Sequence, residues 1–378
     1  MKVLHVSPSF FPAHVYGGAT ESVYQLCRHI AREECSVRVL TTNANGSDRT
    51  LEEDTEREVE IAGGLHVRYC KRRAAHSVSP TLLRLLPSYI RWADLVHLTA
   101  VYSFPTIPAL LACKILRKPL IWSPRGALQR WPGSTRLPSK AVWEGTCRVL
   151  APRRCVLHVT SEEEARESLQ RFPGFKAVVT PNGVEIPDRV SHVPKNGLFR
   201  ILYLGRLHPK KGIENLLAAC KLLNSDAAWS LTIAGAGDPG YGKRIRDRIN
   251  EMALSQQVKM VGETRGNAKE KLFENADIVT MPSFTENFGM VAAEALARSV
   301  PVIAGRNTPW KGMEEIGCGL SVDNDPQSLA GAIVQMMGMP LREMGQRGRE
   351  WMKREYSWKC RAAQMIQTYE EILLEPRP

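Results

Sequence analysis

The sequence lacks the features that mark a membrane-spanning, disulfide-bonded or zinc-binding protein. Its longest apolar runs have the length of a strand, well short of the roughly 20 residues that a membrane-spanning helix needs. Its nine cysteines are odd in number, scattered and without a C-x-x-C pair, which argues against a disulfide framework and a structural zinc site. The start, MKVLHVSPSFFP, predicts a first buried strand better than a signal peptide, so we expect a cytoplasmic protein.

Acidic residues are too few to balance the basic ones. The 378 residues include 51 Lys and Arg against 39 Asp and Glu, which gives a net charge of +12. Residues 1–190 hold 26 basic and 18 acidic residues and so carry most of the excess. A basic half indicates an anionic lipid, a phosphate-bearing substrate or a nucleic acid as partner, or else a merely solvated surface. Because zinc-finger, KH and RNP motifs are missing, we expect no nucleic-acid partner.

Short apolar runs alternate with helix-length amphipathic segments along the whole chain. Strands are predicted at 3–6, 37–41, 65–69, 95–98, 120–122, 156–159, 201–204, 231–234, 258–261, 278–281 and 301–304. Helices are predicted at 20–32, 213–223, 242–252, 268–274, 288–297 and 358–373. A further helix is predicted to begin after Ser161, which forms a capping box with Glu164. Nearly all-apolar strands that alternate with helices predict an α/β fold with doubly wound parallel sheets.

The length of the chain exceeds the range in which one hydrophobic core usually keeps growing, so we expect two domains. A stretch dense in Pro, Gly and Asn marks the boundary. We therefore predict a first domain at 1–180, a linker at 181–197, a second domain at 198–355, and a C-terminal helix at 356–378 that packs back toward the first domain. Two doubly wound domains of this kind place their strand ends around a central cleft.

One predicted strand runs into the loop GRLHPKKG, which begins at Gly205 and ends at Gly212. The first glycine allows a tight turn at the end of the strand, and the second lies where the next helix opens. Arg206 and Lys211 are thereby directed from one loop into the cleft. An arginine fork and a lysine point charge together make a suitable clamp for a diphosphate, although basic loop residues are common without one.

The stretch PSFTENFGMVAAEAL places Glu286 in a loop and Glu294 in the following helix. If that helix begins at Phe288, the backbone N–H groups of Phe288, Gly289 and Met290 favour an anion. Glu294 lies among small apolar residues, and a buried carboxylate there needs hydrogen-bond donors such as sugar hydroxyls. The alternatives are a carboxylate that merely complements the helix dipole and an exposed helix glutamate.

These residues resemble the retaining glycosyltransferases of family four, which have the GT-B fold of two Rossmann-like domains facing a central cleft. The resemblance covers essentially the whole chain. It is carried by Gly17 and Gly18, VHL at 96–98, PNGV at 181–184, the GRLxxxKG loop and the two glutamates eight positions apart. It implies an anomer-retaining hexosyltransferase that uses a nucleotide-diphospho-sugar donor. Because Arg206, Lys211 and a helix N-terminus could neutralise the leaving diphosphate, we expect the enzyme to need neither a cofactor nor a metal.

The resemblance also implies a role for each matching residue. The second domain would hold the donor: Arg206 and Lys211 would bind its diphosphate, Glu294 its ribose, and Glu286 hydroxyls of its sugar. The other residues implied to bind the donor are Gly17, Gly18, Asn287, Phe288, Gly289 and Met290. The candidates for catalysis are Glu286, Arg206, Lys211 and His97.

One position departs from the family pattern. Many members have H-x-H at the end of the fourth strand, whereas this chain has His97 followed by leucine and Thr99. His97 is therefore either a catalytic residue or a core histidine at a strand end. Thr99 and Arg125 are assigned to acceptor binding in the first domain. Asp323 and Asp325 have the D-x-D spacing of a metal site, but they lie in a predicted turn, so we expect no metal there.

The motifs SPRGAL at 123–128 and TPW at 308–310 resemble a subset of the family that builds bacterial surface polysaccharides and lipopolysaccharides. The acceptor would then be a saccharide or a lipid-linked saccharide. The enzyme would be cytoplasmic or peripheral at the inner face of the plasma membrane. The alternatives are a transferase acting on a soluble small molecule, a GT-B sugar-nucleotide epimerase, and a non-enzymatic two-domain sugar-binding protein.

Two segments, 71–92 and 131–154, combine basic residues with aliphatic and aromatic ones. This composition predicts salt-sensitive binding to anionic vesicles that is lost when the three basic residues 71–73 become glutamate. The alternative is a domain core with a solvated basic rim. We expect Pro80 and Pro87 to limit any long continuous helix in the first of these segments.

Overall fold

The computed structural model describes residues 1–33, 35–130, 137–192, 197–223 and 228–375, and the chain divides into two compact units. The first unit comprises Met1–Gly183 together with Trp358–Pro378, and the second comprises Val184–Ser357. The chain thus leaves the first unit after Gly183 and returns to it at Trp358. Trp131, part of the second basic segment, and residues 193–196 of the expected linker lie outside the described residues.

The first unit is built on an eight-stranded sheet. Its strands are β1 (Lys2–Val6), β2 (Ser36–Thr42), β3 (Val59–Ala62), β4 (Leu65–Cys70), β5 (Leu95–Thr99), β6 (Leu120–Ser123), β7 (Cys155–Val159) and β8 (Lys176–Val179). Their order is β3-β4-β2-β1-β5-β6-β7-β8, and β3 is antiparallel to its neighbour while the others pair in parallel. The six predicted strands are confirmed. The two edge strands β3 and β8 bury no residue completely, so they lack the apolar run that would predict them.

Helices cover both faces of this sheet. Those before the crossover to the second unit are α1 (Gly18–Ala31), α2 (Pro80–Trp92), α3 (Thr106–Ile115), α4 (Leu137–Leu150) and α5 (Glu162–Arg171). Helices α2 to α5 pack with one face of the strands, and α1 packs with the other. The predicted capping box is confirmed, because the Ser161 hydroxyl accepts a hydrogen bond from the Glu164 N–H at 3.2 Å.

Helix α2 begins at Pro80 but continues through Pro87, so the expectation that the second proline limits the helix is wrong. Pro80 occupies the first turn, where a missing N–H costs nothing, and the Ser79 hydroxyl caps the Leu82 N–H at 3.3 Å. Pro87 lies inside the helix and should weaken it locally. The helix nevertheless buries Leu82 and Ile90 completely. Tertiary packing of one apolar face therefore outweighs the local effect of the proline.

The second unit is built on a six-stranded sheet in which every described pairing is parallel. Its strands are β9 (Phe199–Leu204), β10 (Trp229–Ala234), β11 (Val258–Gly262), β12 (Ile278–Met281), β13 (Val302–Gly305) and β14 (Gly319–Val322), in the order β11-β10-β9-β12-β13-β14. The five predicted strands are confirmed, and β14, with glycine and serine at two of its four positions, is an addition to them. Since β9 and β12 are neighbours, the loops that follow them lie side by side.

Among the residues that the structure describes, seven α-helices accompany this sheet. They are α6 (Ile213–Leu222), α7 (Pro239–Glu251), α8 (Gly266–Glu274), α9 (Met290–Ala297), α10 (Met313–Ile316), α11 (Pro326–Met337) and α12 (Leu341–Trp351). Helices α6, α7 and α11 pack on one face of the sheet, and α8 and α9 pack on the other. The last helix, α13 (Trp358–Leu374), belongs to the first unit and packs against α1.

Candidate active site

The loop after β9 is held in place by a glycine. Gly212 has a left-handed φ of 67°, and a Cβ atom there would lie 1.9 Å from the Pro282 carbonyl oxygen. A side chain at this position would therefore push the β9 loop away from the β12 loop. The Phe284 N–H donates to the Lys210 carbonyl at 3.0 Å and joins the same two loops. This close contact directs the neighbouring side chain, Lys211, toward the β12 loop.

Lys211 forms an ion pair with Glu286, one of the predicted site residues. The ammonium group donates to the Glu286 carboxylate, and the Ser283 hydroxyl donates to the same oxygen at 2.6 Å. Only 11% of the Glu286 side chain is exposed. Burial alone would raise the pKa of Glu286, but the Lys211 cation and the hydroxyl hold it below its usual value. Glu286 is therefore an ionised hydrogen-bond acceptor at neutral pH.

Arg206 lies in the same neighbourhood and its side chain is exposed to solvent. The Tyr203 hydroxyl donates to the Arg206 carbonyl at 2.9 Å and thereby fixes the turn that presents the guanidinium group. Burial raises the pKa of Tyr203, and the negative charge of Glu286 raises it further, so Tyr203 lies within electrostatic reach of that carboxylate. The structure thus brings Arg206, Lys211 and Glu286 together at the carboxyl ends of two neighbouring strands.

Helix α9 begins at Met290, so the prediction that it begins at Phe288 is wrong. Gly289 is the N-cap with a left-handed φ of 79°, and a Cβ atom there would lie 2.9 Å from the Met281 sulfur. Phe288 has a buried side chain, and its carbonyl accepts a hydrogen bond from the Trp310 indole at 2.5 Å. The TPW motif therefore supports the chain where it enters α9.

Glu294 lies on α9 between completely buried alanines and is itself half-buried, with 20% of its side chain exposed. Its carboxylate accepts a hydrogen bond from the Lys269 ammonium of α8 at 2.7 Å. A second ion pair, at 2.6 Å, joins Glu270 of α8 to Arg298, the residue that follows α9. Lys269 was not among the predicted site residues, because a lysine in the charged sequence of α8 has no local signal that distinguishes it.

Asn287 lies in the loop between Glu286 and Phe288, and the other predicted site residues not yet described belong to the first unit. Gly17 has a left-handed φ of 69° and is the N-cap of α1, which Gly18 begins. Thr99 is buried at the end of β5. Arg125 has a left-handed φ of 54°, and its guanidinium group donates to the Asn182 side chain at 2.5 Å. Asn182, in the PNGV motif, thus orients the arginine that the sequence assigned to the acceptor.

His97 is completely buried and uses both ring nitrogens. Nδ1 lies 2.6 Å from the Tyr369 hydroxyl, and Nε2 lies 2.6 Å from the Ser123 hydroxyl, which in turn lies 2.7 Å from His158. Burial lowers the pKa of His97 well below its usual value and that of His158 to about 3. This neutral, hydrogen-bonded arrangement matches the interpretation of His97 as a core histidine.

The D-x-D pair has structural partners. Asp325 caps α11 by accepting a hydrogen bond from the Ser328 N–H at 2.9 Å, and Asp323 forms an ion pair with Arg306 at 3.1 Å. Within the described parts of the chain, no group of three or more His, Cys, Asp and Glu side chains is arranged to hold a metal ion. Among the described helices, none is both long and apolar enough to cross a bilayer.

Two family models together match nearly the whole chain. Residues 16–187 match the model described as Glycosyltransferase Family 4, and residues 185–351 match the model described as Glycosyl transferases group 1. The chain belongs to glycosyltransferase family 4. The resemblance inferred from the sequence motifs is thereby confirmed, and this family-4 enzyme is a glycosyltransferase that uses a nucleotide sugar.

Known proteins resemble this family-4 enzyme to different extents. It is 26% identical to a GDP-mannose:cellobiosyl-diphosphopolyprenol alpha-mannosyltransferase of Xanthomonas oryzae over 100% of its own length and 98% of that protein. It is 32% identical to a D-inositol 3-phosphate glycosyltransferase of Jonesia denitrificans, but over 45% of its own length and 42% of that protein. The crystal structure of Anabaena HepE in complex with UDP is similar in fold, with a TM-score of 0.76 at 19% identity, over 98% of this chain and 100% of that one. The predicted GT-B fold class is confirmed.

Proposed function

We propose that this glycosyltransferase moves a hexose from a nucleotide-diphospho-hexose to a saccharide or lipid-linked saccharide, with retention at the anomeric carbon and without a metal ion. The pathway would be that of a surface polysaccharide or lipopolysaccharide, on the cytoplasmic side of the membrane. The observation that supports the donor chemistry most directly is the convergence of Arg206, Lys211 and Glu286 at the ends of β9 and β12. Two cations in one place suit a diphosphate, and a carboxylate beside them suits sugar hydroxyls.

In this proposal, catalysis comes from positioning and from electrostatic stabilisation of the departing diphosphate. Arg206 is exposed and available to the phosphates, whereas Lys211 would share its charge between the phosphates and Glu286. Glu286 is ionised and already accepts two hydrogen bonds, so it would orient the sugar and would not attack it. Front-face attack by the acceptor, with a phosphate oxygen taking the acceptor's proton, would retain the anomeric configuration.

The acceptor is proposed from similarity. The Xanthomonas relative, matched over the full length of this chain, is named for a mannosyl transfer to a cellobiosyl-diphosphopolyprenol. That name favours a lipid-linked saccharide over a soluble small molecule. It also disfavours a sugar-nucleotide epimerase, which would need no acceptor.

A donor screen followed by product analysis tests the proposal. We expect one nucleoside-diphosphate sugar to stabilise the protein against heat, and its hexose to appear on a diphosphopolyprenol-linked saccharide with the donor's anomeric configuration by NMR. Arg206→Ala should abolish the stabilisation, whereas Arg246→Ala, which changes an exposed arginine of α7, should not. Release of free hexose or an epimer without an acceptor would show an epimerase, and an inverted product would contradict retention.

A further inference from the structure

The loop between β9 and α6 contains a histidine, His208, that has no part in the proposed function. It lies between Arg206 and Lys211 in the sequence and is exposed to solvent. Its backbone is extended, with a φ of −153° and a ψ of 143°, and the next three residues, Pro209–Lys211, form a short 3₁₀ turn. His208 is therefore the N-cap of the turn that carries Lys211.

The His208 side chain caps this turn. Its Nδ1 atom accepts a hydrogen bond from the Lys210 N–H at 3.1 Å, as the side-chain oxygen of an asparagine or aspartate cap would. The His208 carbonyl accepts a second hydrogen bond, from the Lys211 N–H at 2.8 Å. Because Pro209 has no N–H, these two bonds engage both backbone donors of the turn.

The capped peptide is also held by the neighbouring loop. The Lys210 carbonyl accepts a hydrogen bond from the Phe284 N–H of the β12 loop at 3.0 Å. The next side chain, Lys211, forms its ion pair with Glu286 of the same β12 loop. Lys210 is thus fixed through its N–H by His208 and through its carbonyl by the β12 loop. Loss of the cap would release one side of this peptide and loosen the direction of the Lys211 ammonium group.

The cap exists only while Nδ1 is unprotonated, since a protonated imidazole donates from both ring nitrogens. Burial lowers the pKa of His208, and the positive charges of Arg206, Lys210 and Lys211 lower it further. The carboxylate of the facing loop, Glu286, is paired with Lys211. At neutral pH the ring is therefore neutral, with Nδ1 as the acceptor and the proton on Nε2.

We propose that His208 is a positioning residue of the donor site: its neutral ring holds the Lys210 peptide, and with it the loop conformation that presents Arg206 and Lys211 to a diphosphate. The alternative, a protonated ring that binds the phosphates itself, would lose the Lys210 hydrogen bond and add a fourth positive charge to the loop. The observed hydrogen bond favours the neutral cap. This inference rests on the proposed function, because the ligand is the nucleoside diphosphate of the donor.

Two substitutions separate the roles of the two ring nitrogens. In His208→Asn the side-chain oxygen is as many bonds from the backbone as Nδ1, so it can cap the Lys210 N–H without titrating. In His208→Gln the polar atoms lie as far out as Nε2, and the cap is lost. UDP and GDP, tested separately by calorimetry at neutral pH, are the probes. We expect His208→Asn to keep the affinity, and His208→Gln and His208→Ala to weaken it about fivefold, the usual contribution of an N-cap.

The pH profile of the affinity distinguishes the neutral cap from a charged phosphate ligand. As pH falls through the pKa of His208, the unchanged protein should lose the cap and bind about fivefold more weakly relative to His208→Asn at the same pH. The comparison cancels the titration of the diphosphate itself. His192→Gln removes an exposed histidine of the same unit and should follow the unchanged protein at every pH. An affinity that rises relative to His208→Asn as pH falls would overturn the proposal.

Nitrogen NMR of protein labelled at its histidine rings gives a test that needs no ligand. The ring that is missing from the His208→Asn spectrum should be neutral and protonated on Nε2 at neutral pH, and a charged ring or one protonated on Nδ1 would overturn the cap. Full affinity in both His208→Gln and His208→Ala, with binding still lost in Arg206→Ala, would overturn this proposal and leave the proposed function standing. Binding of neither UDP nor GDP to the unchanged protein would overturn both.

Discussion

Replacing Lys211 with methionine tests the central ion pair of the site. The change removes the cation from Glu286, whose side chain is 11% exposed. The Ser283 hydroxyl would still donate a hydrogen bond to this carboxylate. Breaking a buried ion pair by removing one partner costs about 3–5 kcal/mol, and partial exposure of this pair places the expected loss near the lower end, about 3 kcal/mol. Urea denaturation measures this loss in the free energy of unfolding. Adding Glu286→Gln should recover much of the loss, since no unpaired charge then remains.

The pH dependence of stability should reverse in the same variant. In the unchanged protein the pKa of Glu286 is lowered, so its contribution is present above the unfolded-state pKa of about 4.3 and is lost as pH falls through the folded-state value. Without Lys211, we expect burial to outweigh the remaining Ser283 hydrogen bond and the Lys210 charge, and so to raise the pKa of Glu286. The contribution of Glu286 is then present at low pH and is lost as pH rises through that raised value.

Ligand affinity provides the functional half of the test. Losing one charge-assisted contact to the diphosphate should cost about 1.5–3 kcal/mol, which weakens nucleoside-diphosphate binding about 10- to 150-fold by calorimetry. Glu286→Gln should spare this ligand, which contains no sugar beyond its ribose, and should depress turnover. Lys243→Met, which changes an exposed lysine of α7, is the matched control. Unchanged stability, an unchanged pH profile and unchanged affinity in Lys211→Met would refute the reasoning.

Three further predictions concern the donor site. Glu294→Ala should weaken binding of the free nucleoside diphosphate by at least about tenfold, because the charge-assisted hydrogen bonds between the carboxylate and the ribose hydroxyls would be lost. Lys269→Met should weaken binding less. An unchanged affinity of Glu294→Ala by calorimetry would place the ribose elsewhere. Gly212→Ala should weaken the same ligand and lower the melting temperature, since its Cβ would lie 1.9 Å from the Pro282 carbonyl oxygen, whereas Gly331→Ala, which meets nothing within 4 Å, should do neither. Turnover should persist in excess chelator, and a complete loss restored by Mg²⁺ or Mn²⁺ would contradict metal independence.

Most of the architecture could be predicted because buried parallel strands are short apolar runs that need no knowledge of their neighbours. The exceptions have local causes. The edge strands β3 and β8 are only partly buried, and α2 forms despite Pro87 because its apolar face packs on the sheet. The start of α9 was misplaced because Gly289 adopts a left-handed conformation that the sequence permits but does not require.

For the candidate site too, one part could be predicted from the sequence and another part could not. By itself, the sequence predicted which residues would carry the donor chemistry, because Arg206, Lys211, Glu286 and Glu294 stand in loops and a helix whose motifs resemble those of the family. Only the tertiary structure decided their partners. Lys211 meets Glu286 from 75 positions away. The tertiary structure also placed His97 in a buried hydrogen-bonded row. Local patterns specify secondary structure and loop chemistry, whereas pairing between distant side chains depends on how the sheet brings its strand ends together.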